Sequence, residues 1–249
     1  MKEIGLQLYT IRNYLEDEAK LVDNLRLVKD AGYDAVQLFG PLHRCEKVGL
    51  AAIEAGLKVL GTTGPTKIFF ENPDETIALH KKLGCIDIGI GGASCTTLAQ
   101  LNDFIKEANA FAKLAKKEGL TFSYHNHSYE FELLEGELIF DELLKGLDPS
   151  IKFVLDTYWV QVGGGDVRHW IEKLKGRIDI LHLKDLKVIW GAPQFAAMGE
   201  GHMWWDGIIP TADSCGVKHY VVEQDDCKDD DPMDCIRKSS RYLHENFFD

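Results

Sequence analysis

The sequence predicts an α/β fold, a (β/α)8 barrel forming a single domain over residues 1–249. Three observations carry that expectation. The chain has 249 residues, and eight-fold α/β barrels take about 250. Eight short β-rich or apolar runs alternate with amphipathic stretches of helical period, the pattern of βα units on a parallel sheet. No linker, low-complexity segment or compositional break divides them, which favours one closed barrel over an open doubly wound sheet with a second domain.

The first run is 4–9, followed by a helix near 16–31 in which Leu21, Val22, Leu25, Val28 and Ala31 fall at helical spacing before the stop at Gly32. The second run is 35–39, then a helix near 47–55 ending at Gly56, then the third run, 57–62. A fourth run, 86–90, follows a helix that stops at Gly84, and the amphipathic stretch 98–117 leads through Gly119 to the fifth, 121–125. Runs six to eight are 153–156, 178–182 and 219–223, separated by helical stretches near 167–174 and 205–215, and a last helix lies near 232–247. Gly89-Ile90-Gly91-Gly92-Ala93-Ser94 follows a strand, but Ser94 stands where a dinucleotide fingerprint needs Gly or Ala.

Composition narrows the function classes. A hydrophobic fraction of 45% with 27% charged residues is ordinary for a globular protein, and no apolar run nears the roughly 18 residues that span a bilayer. The N-terminus lacks the basic and apolar regions of a secretory signal. A soluble, cytoplasmic protein with no membrane partner is therefore expected. Six cysteines without a Cys-x-x-Cys pair suit free thiols rather than a zinc ribbon or redox motif. The net charge of −12, from 28 basic and 40 acidic residues, repels a polyanionic backbone and argues against nucleic acid. The acidic run 225–231 reads as solvated surface before the last helix.

In such a barrel the active site lies at the C-terminal strand ends. Strand five ends in Tyr124-His125-Asn126-His127, strand six in Leu155-Asp156-Thr157, strand seven in Leu181-His182-Leu183-Lys184-Asp185, and strand eight in Val222-Glu223-Gln224-Asp225. Neighbouring strands lie about 4.8 Å apart, so side chains from successive ends can converge on one ion. Imidazoles with carboxylates suit one divalent ion, Mn, Zn, Fe or Co, better than Ca.

These strand ends, with Gly5-Leu6-Gln7-Leu8-Tyr9-Thr10, Arg12 and Gly199-Glu200-Gly201, resemble the sugar phosphate isomerase/epimerase superfamily. These are the xylose isomerase-like TIM barrels that include ketose 3-epimerases, inosose dehydratases and apurinic endonucleases. The resemblance extends over essentially the whole chain. It implies a metal held by late-strand residues, with Asp156, His182 and Glu223 in ligand positions. Where the family commonly has Glu followed by Asn and His, this chain has His125-Asn126-His127. Either His125 or His127 replaces the first carboxylate, His125 being the favoured ligand, or water completes a three-residue site. The epimerases use paired glutamates as acid and base, so a histidine here points toward the inosose dehydratase side of the family.

The reaction implied is proton abstraction beside a carbonyl of a small carbohydrate or keto-polyol, the ion binding adjacent carbonyl and hydroxyl oxygens and stabilising an enediolate. Isomerisation, epimerisation and dehydratase-type elimination from an inosose or keto-sugar all use that step, and a non-catalytic sugar-binding barrel would use the same pocket. Glu223 is the candidate ligand and base, with His125 or His127 as complementary acid. Lys184 points the same way as His182 and either binds a substrate oxygen or pairs with Asp185 or Glu223. Glu200 and His202 either line the pocket mouth or shape their loop; Trp159, Trp204, Trp205 and Phe39 are candidate sugar-stacking faces, Trp205 alternatively core. The nuclease pattern has His three residues after the aspartate, where this chain has Trp159. Such barrels commonly form homo-oligomers, but no interface is legible.

Overall fold

In the computed structural model, which describes residues 2–248, eight parallel strands close into a barrel. They are β1 (Ile4–Gln7), β2 (Ala35–Phe39), β3 (Lys58–Gly64), β4 (Asp87–Ile90), β5 (Thr121–His125), β6 (Lys152–Asp156), β7 (Ile178–Leu183) and β8 (His219–Val222). Each strand pairs with its neighbours in sequence, and β8 returns to β1 with Tyr220 level with Ile4. Helices surround the sheet, among them Leu21–Asp30, Leu42–Glu54, Leu98–Lys117, Trp205–Cys215 and Pro232–Leu243. This is the TIM barrel that the run pattern predicts.

The core divides in two. Most apolar side chains pack between sheet and helices, while Ala35, Leu60, Val154, Ile180 and Val221 form a separate layer. That layer places the lumen. Because side chains alternate along a strand, Gln37, Asp156, His182 and Glu223, each two residues beyond a member of the layer, share its face. The register puts Asp156 directly opposite His182.

Several boundaries move, each for a local reason. The first run stops at Gln7, whose side chain caps the following turn by accepting the Tyr9 N–H; two short 3-10 segments, Leu8–Leu15 and Glu18–Lys20, precede the helix. The second helix begins earlier, at Leu42, directly after Pro41. Thr66–Glu71, Ile139–Gly146 and Thr157–Val162 are additional helices, and Pro232–Leu243 passes into a wider turn over His244–Phe248. After β7 the chain makes an antiparallel hairpin, Asp185–Ile189 with Ala192–Ala196. Its turn places Trp190 and Gly191 at φ 52° and 77°.

The acidic run is not uniformly solvated. Residues 228–231 are exposed, but Asp225 turns inward to Lys184. All six cysteines are free. Among the described residues, no helix is long and apolar enough to cross a membrane.

Candidate metal centre

The strand ends bring His125, Asp156, His182 and Glu223 together in the lumen, all buried, with one donor atom of each within 4.8 Å of the others. His182 Nδ1 lies 3.0 Å from Glu223 Oε2 and 3.8 Å from Asp156 Oδ2. His125 Nε2 lies 3.5 Å from Asp156 Oδ2 and 4.0 Å from Glu223 Oε2. His125, not His127, therefore joins the cluster.

Local chemistry holds these side chains in place. Asp156 Oδ1 accepts the Trp159 N–H at 3.1 Å, capping the helix Thr157–Val162, which leaves Oδ2 for the lumen. Asn126 Oδ1 accepts the Asp156 N–H at 2.9 Å and ties β5 to β6. The Thr157 hydroxyl lies 3.0 Å from the His182 carbonyl. Lys184 Nζ reaches Asp225 Oδ1 at 2.6 Å, Glu223 Oε2 at 3.1 Å and Asp156 Oδ2 at 3.3 Å. Its ion pairs are thus with these three carboxylates. Asp185 instead accepts N–H groups from Leu186, Gly199, Gly201 and Met203 and from the Trp205 indole.

Burial and charge work against one another throughout. Burial alone would raise Asp156 and Glu223, but Lys184 and the histidines outweigh it, holding Asp156 well below the usual carboxylate range and Glu223 at about 2. Burial opposes the charged form of His182, yet Glu223 and Asp156 raise it to about 9. Burial lowers His125, and it pushes His127 down to about 3. Asp225 is raised to about 6 by burial and then by Glu223.

The donor set fits a divalent cation. Both ring nitrogens of His125 and Asp156 Oδ2 are buried without a hydrogen-bond partner, a costly state for polar atoms that a ligated ion would relieve. Three carboxylates also face a single ammonium, leaving negative charge for a cation to balance. Mixed imidazole and carboxylate donors suit Mn, Zn, Fe or Co.

Other predicted positions fall at different distances from this centre. His127 stacks on Tyr129 with ring centroids 5.1 Å apart and is 5.7 Å from Trp159; its Nδ1 and the Trp159 Nε1 are buried without partners. Lys184 Nζ lies 5.0 Å from the Trp159 ring and 5.4 Å from that of Phe195, a hairpin residue sequence reasoning missed. Glu200 is not brought in: it pairs with Lys238 at 2.9 Å, both side chains exposed. His202 is exposed and lines a separate surface cavity of about 340 Å³ with Arg168 and Trp204. Trp205 is core, 3% exposed, and Phe39 packs edge-on against Tyr9. Gln7, Gln37 and Asp225 were also missed; Gln37, two residues beyond lumen-facing Ala35, was accessible to the period-2 argument.

A family model described as a xylose isomerase-like TIM barrel matches residues 25–245. Two structures of sugar phosphate isomerase/epimerases from Parabacteroides distasonis are similar to the chain. One is 28% identical with a TM-score of 0.82, over 100% of this chain and 99% of its own. The other is 25% identical with a TM-score of 0.83, over 99% and 95%. A probable 3-DHS dehydratase from Bacillus anthracis shares the fold at 13% identity, with a TM-score of 0.76 over 99% of this chain and 100% of its own. No curated protein matches the sequence.

Proposed function

Because the chain belongs to the xylose isomerase-like TIM barrel family, we propose that it is a divalent-metal-dependent enzyme of the isomerase/epimerase type. It acts on a small carbohydrate or keto-polyol by moving a proton beside a carbonyl. The observation that carries this reading is a pair of buried atoms without hydrogen bonds, His125 Nε2 and Asp156 Oδ2, facing one another inside a four-donor cluster. His125, Asp156, His182 and Glu223 would hold the ion. When bound, it supplies Lewis-acid polarisation of a substrate carbonyl.

The remaining work falls to side chains. Glu223, kept ionised by Lys184 and His182, is the candidate base for a carbon-bound proton. His127, whose Nδ1 has no hydrogen-bond partner, is the candidate to hydrogen-bond a substrate oxygen. Lys184 keeps the three carboxylates charged and can meet a substrate oxygen of its own. Trp159 and Phe195, edge-to-face with ring centroids 5.8 Å apart and both near the Lys184 ammonium, offer apolar faces to a sugar carbon skeleton and exclude water.

A second reading, a lyase that eliminates water from a keto-sugar, is favoured by one observation: His125 occupies the cluster position where the sequence resemblance implies a carboxylate. Incubation of Mn²⁺-loaded protein with ketoses and keto-polyols in D₂O separates the two. Deuterium incorporation with a rearranged sugar supports the first, and loss of water supports the second. Binding without exchange at carbon would overturn both and leave a sugar-binding barrel.

A further inference from the structure

The hydrogen bonds that run from β1 through β2 to β7 decide which nitrogen of His182 faces the cluster. Their two ends are backbone groups whose roles cannot be exchanged. The Tyr9 N–H can only donate, and Gln7 Oε1 accepts it at 3.2 Å. The Gln7 amide is thereby oriented, with Nε2 turned to donate to Gln37 Oε1 at 3.1 Å and Thr63 Oγ1 at 2.9 Å. The Thr62 carbonyl can only accept, and it lies 3.4 Å from Gln37 Nε2. Both constraints place the carbonyl oxygen of Gln37 toward His182, 2.6 Å from ring Nε2. An amide oxygen that already accepts from Gln7 cannot donate, so the proton in this contact belongs to His182.

We propose that Gln37, oriented by Gln7, is a positioning residue that keeps His182 protonated at Nε2 and presents Nδ1 to the cluster. Resting on the metal reading above, Nδ1 is then the ligating atom. The arrangement is the outer-shell device that fixes ring orientation and tautomer at metal sites. It is also built to last: Gln7, Gln37 and His182 are each at most 1% exposed, so water does not compete for these bonds. It gives a physical role to the glutamine of the Gly5-Leu6-Gln7-Leu8-Tyr9 segment, which the cluster itself does not use.

Histidine-selective ¹⁵N labelling with long-range ¹H–¹⁵N spectra tests the assignment, the His182 signals being identified by their loss in His182→Gln. In wild type, Nε2–H is present with and without Zn²⁺, and Zn²⁺ perturbs Nδ1. Gln37→Leu loses the protected Nε2–H and binds Zn²⁺ roughly 10- to 100-fold more weakly by chelator competition. Gln37→Glu, a stronger acceptor, retains both the signal and the affinity. A Gln37→Leu protein with unchanged spectrum and unchanged Kd overturns the proposal, as does Zn²⁺ bound through Nε2. Should Gln37→Leu fail to fold, loss of the Nε2–H signal in Gln37→Glu overturns it. Wild type that keeps Nε2–H but takes up no Zn²⁺ leaves the tautomer assignment standing and overturns the metal reading instead.

Discussion

His125 Nε2 and Asp156 Oδ2 face each other at 3.5 Å across the ends of adjacent strands, both buried and neither hydrogen-bonded. Asp156 serves two masters through its two oxygens, since Oδ1 caps a helix through Trp159. Asp156→Asn keeps an oxygen for the cap but loses the charge; Asp156→Ala loses both. Elemental analysis is expected to find about one Mn, Zn, Fe or Co per wild-type chain and none in either variant. Urea unfolding is expected to place the Ala variant about 1 kcal/mol below the Asn variant, the value of an N-cap. Equal metal content in all three proteins would contradict the assignment.

Lys184 is the counter-charge of the centre. Replacing it by Met leaves Asp156, Glu223 and Asp225 facing one another in a buried site. Loss of one partner from a buried ion cluster costs about 3–5 kcal/mol, so metal-free Lys184→Met should unfold at much lower urea than wild type. Addition of Mn²⁺ should recover part of the difference, because a cation then replaces the missing ammonium. An unchanged unfolding midpoint would show that the carboxylates are not charged together.

His80 supplies a pH dependence remote from the centre. Its Nδ1 lies 2.7 Å from the Thr76 carbonyl and must donate, while Nε2 lies 3.0 Å from the Thr62 hydroxyl, which also reaches the Gly89 carbonyl at 3.3 Å. Burial lowers the pKa of the ring to about 4. A folded pKa below the unfolded value of about 6.5 contributes stability that is present above pH 6.5 and lost as the pH falls toward 4, about 3 kcal/mol over that window. Glu130 and Asp87, both raised to about 7 by burial, act with opposite sign, their stability being lost as pH rises through 7. The measurement is therefore the difference in unfolding free energy between wild type and His80→Gln from pH 7.5 to 4.5, expected to shrink as acid is added. A flat difference would show that His80 titrates normally.

Asp185 gathers five N–H donors, four of them from the backbone at Leu186, Gly199, Gly201 and Met203 and one from the Trp205 indole. Asp185→Ala strips these of their acceptor in a site where a Cβ on Gly201 would already lie 2.2 Å from the carboxylate. Only the Leu186 N–H and the Trp205 indole bonds are buried, and unsatisfied buried donors cost about 1–3 kcal/mol each, so a loss of about 2–6 kcal/mol is expected. Amide hydrogen exchange should accelerate at Gly199, Gly201 and Met203 while the barrel strands stay protected. Unchanged exchange there would remove Asp185 as the anchor of this loop.

The barrel was legible because a helical period and a strand period alternate in the sequence, and Gly32, Gly56, Gly84 and Gly119 separate helix from strand. The hairpin after β7 was not, because its turn is Trp190-Gly191 rather than the Asn-Gly that announces such a turn. Asp156, His182 and Glu223 were legible as the polar residues that end apolar strands. Glu200 looked equivalent within its glycine-flanked motif, yet its carboxylate goes to Lys238, a choice set by the placement of the Pro232–Leu243 helix.

The sequence by itself determined the order of elements and the face of each strand, since alternation along a strand follows from the chirality and geometry of the backbone. It thereby determined that Asp156, His182 and Glu223 share one face with Gln37. Only the tertiary structure decided the choice of His125 over His127, the three carboxylates around Lys184, and the glutamine pair behind His182. Those depend on strand register and on the orientation of side chains up to 145 positions apart, as with Gln37 and His182, and such contacts exist only once the barrel has closed.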